Sequence, residues 1–231
     1  MIVETKNLTK GFGSLVAVDN LNLKLKEKMI YGLVGPNGAG KTTTFAMLAG
    51  LINPTYGEIK IFGLDLKKDF YKIKSKIGIL IQEAGFYKER TALDNLVYYA
   101  KLKNIKNPRK EAIDVLKKVG LEGVIDVKIK NYSHGMERLL SIAQALLGNP
   151  DFIILDEPTS GLDPQNIYRV KKLIKSFKNK TLLISSHNLE EIEKLCTHVG
   201  IMNKGKIILE KKISKKGSLE KLFIKLIKWL L

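Results

Sequence analysis

Residues 29–44 constrain this chain more than any other stretch. Met29-Ile30-Tyr31-Gly32-Leu33-Val34 is short, apolar and bounded by turn residues, the pattern of a buried strand. Gly35-Pro36-Asn37-Gly38-Ala39-Gly40-Lys41-Thr42 then fits the phosphate-binding pattern G-x-x-x-x-G-K-[ST] at every fixed position. A helix pattern carrying Phe45, Leu48 and Leu51 follows. A chance glycine-rich turn is the alternative, but it does not require a strand before and a helix after.

Phosphate binding needs these residue types at this spacing. Gly35, Gly38 and Gly40 let the backbone curl without a side chain in the way. Successive N–H groups then converge into a nest for phosphate oxygens, and the new helix aims its positive end at the same point. Lys41 adds a full charge near the β- and γ-phosphates, and the Thr42 hydroxyl is placed to ligate Mg²⁺. The expected nucleotide contacts from this stretch are Gly35, Asn37, Gly38, Ala39, Gly40, Lys41, Thr42 and Thr43.

A second constellation lies far along the chain. Phe152-Ile153-Ile154-Leu155 reads as a buried strand that presents Asp156 and Glu157 at its C-terminal end. Open α/β sheets bind ligands at that edge. Asp156 can serve Mg²⁺ directly or through water, and Glu157 can orient and polarise an attacking water. Acids after a strand are also common turn residues; the phosphate loop is what favours the catalytic reading. Thr181–Ser185 is another buried strand, followed by Ser186 and His187. Its position makes His187 an expected γ-phosphate contact, whereas His198 reads as structural. Gln82, at the end of the Ile77–Ile81 strand pattern, gains interest only from these neighbours.

Between the two constellations the period changes. Residues 2–8 and 15–27 alternate apolar and polar and read as antiparallel strands around a Gly11-Phe12-Gly13 turn. Phe12 could stack on a purine or cap the sheet; position alone leaves both open. Glu58–Phe62 reads as a strand and residues 66–76 as a helix. From 90 to 148 helical periodicity dominates, with Asn107-Pro108 as a start signal and Gly120 as a stop. Ser133 is a reasonable helix N-cap, and Gly135 permits close approach there. Asn203-Lys204-Gly205 marks a hairpin within 198–213. The final stretch, 218–231, reads as a basic amphipathic helix with Leu219, Leu222, Phe223, Leu226, Ile227 and Leu230 on one face. The fold expected is α/β: a P-loop core (1–89 and 149–217) with an antiparallel β subdomain, an all-helical insertion (90–148) and the C-terminal helix (218–231), in one domain.

Composition limits the setting. The 231 residues suffice for one domain with a substantial core. Cys196 is the one cysteine, so no intramolecular disulfide can form. No apolar run approaches the roughly 18–20 residues of a membrane span, and residues 1–6 lack the layout of a signal peptide. A cytoplasmic chain, peripheral on a membrane, is expected. The net charge of +17 would attract nucleic acid or an anionic membrane surface. Only four of the 40 basic residues are Arg, the residue favoured for base readout, which weighs against nucleic acid.

Taken together, GPNGAGKTT at 35–43, Gln82, YSHGM at 132–136, ILDEPTSGLD at 154–163 and His187 resemble the ATP-binding subunit of ABC transporters over roughly residues 2–213. The resemblance implies ATP and Mg²⁺ as cofactors, with Thr42, Gln82 and Asp156 toward the metal and Lys41, Glu157 and His187 in catalysis. It places Phe12 on the adenine, with Val18 flanking the same face. It implies two subunits docked head to tail, as a homodimer or with a close paralogue. Ser133 and Gly135 would then reach the γ-phosphate held by the opposite subunit, with Asp163 at the interface. Such an interface is two-fold. The chain departs from the family pattern at His134, where Gly is usual, and at Arg138-Leu139, where Gln-Arg is usual.

The resemblance to the antibiotic, bacteriocin or multidrug exporter branch implies ATP hydrolysis that powers a separate membrane permease. A soluble ABC-type ATPase acting on nucleic acid or ribosomes is the alternative, drawing on the charge. A slow nucleotide-binding module, motivated by His134, is a third reading that Glu157 opposes.

Overall fold

The computed structural model describes residues 1–81, 85–177, 179–213 and 219, and the fold below is that of these residues. The chain opens with β1 (Val3–Phe12), β2 (Leu15–Leu21) and β3 (Lys24–Leu25), then β4 (Ile30–Val34) and α1 (Lys41–Leu48). Next come β5 (Tyr56–Ile61), β6 (Leu64–Asp65), α2 (Phe70–Lys74) and β7 (Ile77–Leu80). The helical stretch holds α3 (Ala92–Leu102), α4 (Pro108–Val119) and α5 (His134–Leu146), with two short 3₁₀ turns between α4 and α5. After it run β8 (Phe152–Leu155), α6 (Pro164–Ser176), β9 (Thr181–Ser186), α7 (Leu189–Leu195), β10 (His198–Asn203) and β11 (Lys206–Lys212).

Among the described residues the strands form two sheets. A mostly parallel sheet has the order β11-β10-β4-β9-β8-β7, with β11 antiparallel at its edge. An antiparallel sheet has the order β2-β1-β5-β6, with β3 pairing β1.

The parallel sheet is the wall between two apolar cores, and side-chain alternation divides its residues between them. Val34, Ile153, Leu155, Leu182 and Ile184 face the helices α3–α7. Tyr31, Leu33, Phe152, Ile154 and Leu183 face α1 and the antiparallel sheet. Each such fully buried side chain contributes about 1.5–3 kcal/mol relative to exposure. Leu93, Leu96, Ala100, Leu116, Leu139 and Leu140 of the helical stretch join the first core without a break. The insertion therefore packs as an extension of one face of the sheet.

Local chemistry explains the helix ends. Thr91, Ser133, Asp163 and Asn188 each accept a hydrogen bond from the backbone N–H three residues on, at the starts of α3, α5, α6 and α7. Pro108 opens α4 and Gly120, left-handed at φ 77°, closes it, as the sequence signals require.

Several boundaries differ from expectation. β1 runs through Gly11 and Phe12, which pair with Val16 and Leu15, so the turn is Gly13-Ser14 and Phe12 is a strand residue. The expected strand over 15–27 is two strands, β2 and β3, with Asn22 and Leu23 between them. The expected helix over 66–76 shortens to α2, because Asp65 Oδ1 accepts from the N–H groups of Lys67 and Lys68 and holds a turn there. Gln82 and, apart from buried Leu219, the C-terminal stretch 218–231 lie outside the described residues.

Candidate active site

Four elements converge at one edge of the parallel sheet. β4 feeds the phosphate loop into α1, and its Val34 pairs in register with Ser186 of β9. β9 pairs Ile184 with Leu155 of β8, so the ends of β4, β9 and β8 lie side by side. This register places residues 35–43, 156–157 and 185–187 together, although they are far apart in sequence.

The phosphate loop has the expected shape. Gly40 is the N-cap of α1 with φ 105°, and a Cβ there would lie 2.3 Å from the Ala17 carbonyl oxygen. Left-handed backbone and close approach both demand glycine. No side chain caps this helix start, and its first turn carries no acid. Its leading N–H groups and dipole thus remain available to an anion. The buried Lys41 ammonium donates to the carbonyls of Gly35 at 2.7 Å and Pro36 at 3.1 Å, which keeps it inside the curl.

A chain of contacts leads from the loop to the acids. The Thr42 hydroxyl donates to Asp156 Oδ2 at 2.7 Å. Asp156 is buried, and its Oδ1 accepts from the Ser185 hydroxyl. The same Ser185 oxygen accepts from the Glu157 N–H at 2.8 Å. Glu157 Oε2 lies 2.9 Å from His187 Nδ1. Thr42, Asp156, Glu157 and His187 are thereby brought together as the sequence implies, and fully buried Ser185 is the pin among them. Ser185 was legible only as a hydroxyl at a strand end.

Two more residues brace this edge. Glu191, at 5% exposure, accepts from the hydroxyls of Thr159 at 2.8 Å and Ser186 at 2.9 Å through Oε2. Its Oε1 faces the Lys171 ammonium at 3.3 Å, an ion pair without hydrogen-bond alignment. Arg138, on α5, donates to the backbone carbonyls of Asp156, Glu157 and Pro158. The sequence marked Arg138 only as a departure from a pattern and did not single out Glu191.

The remaining expected residues fall in two places. Phe12 is half exposed at the end of β1, with the Lys10 ammonium 5.0 Å from its ring centroid. Val18 does not line the site: its side chain is fully buried in the core of the antiparallel sheet. The bulges in the β1–β2 pairing turn it inward, and neighbouring Ala17 is the residue against the phosphate loop. Ser133 and Gly135 sit with the Asp163 turn. A Cβ on Gly135 would lie 2.3 Å from Asn166 Nδ2, and that amide donates to Asp163 Oδ2 at 2.6 Å. The N–H and side-chain bonds from Asn166 hold the Asp163 carboxyl below the usual carboxylate range. His134 Nε2 lies against Gly161 of the same turn.

A phosphate loop, a strand-end acid pair and a histidine on the adjoining strand define the class: an ATPase of the P-loop type. The ABC transporter family model matches residues 18–160, and the chain belongs to that family. It is 47% identical over 213 residues to the bacitracin transport ATP-binding protein BcrA of Bacillus licheniformis, covering 90% of this chain and 69% of that protein. It is 37% identical over 224 residues to the lantibiotic transport ATP-binding protein SrtF of Streptococcus pyogenes, covering 96% of both. Among solved structures, it matches a dimeric ATP-binding cassette in a post-hydrolysis state bound to ADP and Pi. That match has a TM-score of 0.84 at 28% identity and covers 93% of this chain and all of the other.

Proposed function

We propose that the chain hydrolyses ATP to power export of an antibiotic-like compound through a separate membrane permease, as one of two ATP-binding subunits docked head to tail. The observation that carries the chemistry is the unbroken line of contacts Thr42–Asp156–Ser185–Glu157–His187. The relatives' names carry the transport step: bacitracin and lantibiotic transport ATP-binding proteins. They are named for transport and none for nucleic acid, so transport is the reading kept over an ATPase acting on nucleic acid or ribosomes.

The loop N–H groups and Lys41 hold the β- and γ-phosphates. Thr42 and Asp156 offer a hydroxyl and a carboxylate 2.7 Å apart, an all-oxygen pair of the kind Mg²⁺ takes alongside phosphate oxygens. Bound there, the ion would neutralise charge on the phosphates. Glu157 accepts a proton from the attacking water. His187 sets its Nδ1 against Glu157, which leaves Nε2 for a phosphate oxygen. Phe12 offers a ring for the adenine. Ser133 and Gly135, beside Asp163, form the edge that meets the partner's γ-phosphate, and hydrolysis removes the contact that holds the pair closed.

In this reading 1–89 and 149–217 act as the ATPase core and 90–148 as the helical unit that presents Ser133. Gln82 connects the site to the permease, and the chain sits on the inner face of the cell membrane. Among the described residues no helix is long and apolar enough to cross a membrane.

The test is purification of the tagged chain from detergent-solubilised membranes of its source, with co-purifying proteins identified by mass spectrometry. A stoichiometric multi-span membrane protein is expected. Ribosomes or nucleic acid with no membrane protein would overturn the transport assignment.

A further inference from the structure

We propose that Arg138 is a positioning residue of this site: its guanidinium fixes the Asp156–Pro158 turn and thereby aims the Glu157 carboxylate. The inference rests on the role given above to Glu157 in ATP hydrolysis.

The geometry is specific. Arg138 is 9% exposed. Its Nη2 donates to the Asp156 carbonyl at 2.8 Å and to the Glu157 carbonyl, and its Nε donates to the Pro158 carbonyl at 3.3 Å. Three successive carbonyls thus face one planar fork. Lys, with its donors on a single nitrogen, cannot reproduce that spread.

The turn needs such a clamp. Glu157 has φ 47°, in the left-handed region that residues with a Cβ seldom occupy. A non-glycine residue stays there only where its surroundings over-determine it. Here both of its peptide groups are held: the N–H by the Ser185 hydroxyl at 2.8 Å, the C=O by Arg138. With the backbone pinned on both sides, the carboxylate points to His187 Nδ1, 2.9 Å away.

Helix direction separates Arg138 from its neighbour Leu139 on α5. Successive helix residues point about 100° apart, so the two positions face different ways. Leu139 is 1% exposed and lies in the apolar cluster among the helices, while position 138 faces the catalytic turn. Arg138 therefore stands where the turn can use a guanidinium, and Leu139 does not. Lys41 and the loop N–H groups are held by β4 and α1, and Arg138 grips backbone carbonyls rather than the Asp156 carboxylate, which keeps its own bonds to Thr42 and Ser185. The clamp therefore bears on the aim of Glu157 more than on nucleotide binding.

The experiment compares wild type, R138A, R138K and E157Q for kcat, for MgATP affinity by equilibrium binding, and for thermal unfolding. R138A is expected to keep MgATP affinity and lose about 10²-fold in kcat, the size of effect that misplacing a reacting group produces. R138K is expected to fall between. Millimolar guanidinium is expected to restore part of the R138A rate and none of the E157Q rate. If R138A does not fold, the same split of kcat from affinity is expected of R138K. Wild-type kcat in the folded variants overturns the inference, as does loss of affinity in step with kcat without guanidinium rescue. Loss of rate in E157Q with none in the Arg138 variants overturns it alone. A wild type without turnover overturns the proposed function with it.

Discussion

The Thr42 hydroxyl hydrogen-bonds Asp156 Oδ2 at 2.7 Å, joining the first helix to a strand end 114 residues away. A hydrogen bond to a charged group is worth about 1.5–3 kcal/mol. The pair also supplies the chain's own oxygens for Mg²⁺. Asp156→Asn is therefore expected to weaken Mg²⁺-dependent ATP binding about ten- to hundredfold, and to weaken Mg²⁺-free binding less. Titration of a fluorescent ATP analogue with and without Mg²⁺ checks this. Equal affinities in both proteins at saturating Mg²⁺ would contradict it.

Glu191 ties the Thr159 and Ser186 hydroxyls together, and so joins the turn after Glu157 to the residue before His187. Glu191→Ala would leave both buried hydroxyls without this acceptor and is expected to cost about 1–3 kcal/mol of stability. Glu191→Gln keeps an acceptor oxygen and is expected to cost less. Chemical denaturation reads both variants, with a drop in ATP turnover expected for Glu191→Ala.

His198 gives a pH dependence with a definite sign. Its folded pKa lies below the ordinary 6.5, first because of burial and then because of the Lys212 and Lys26 charges. The unfolded chain thus binds the proton more readily than the native one. The contribution is present above pH 6.5 and is lost as pH falls through the depressed native value. Wild type is expected to lose stability on acidification through this window faster than His198→Gln. Melting curves of the two proteins at several pH values from neutral down to about 5 check this, and parallel pH profiles would contradict it.

How much of this was legible depended on the kind of signal. Local chemistry was written plainly: the loop from Gly35 to Thr43, the acids after Leu155, the proline and glycine that bound α4. Period-2 strands and the helical stretch gave the fold class. What escaped the sequence were features set by register and long-range packing. The resemblance sets Val18 beside Phe12, but in the fold its side chain is fully buried in the core and Ala17 lies against the loop. Phe12 reads as a turn residue because glycines flank it, yet pairing with Leu15 keeps it in the strand. Ser185 and Glu191 are ordinary residues locally and matter only through partners on other elements.

The central claim is that Glu157 activates water for attack on the γ-phosphate. Steady-state ATP turnover of the purified protein beside Glu157→Gln tests it most directly. The change removes the base while leaving the volume of the side chain and the Ser185 bond to its backbone in place. Turnover is expected to fall about 10²- to 10⁴-fold, with MgATP binding retained. Equal rates in the two proteins would contradict the account.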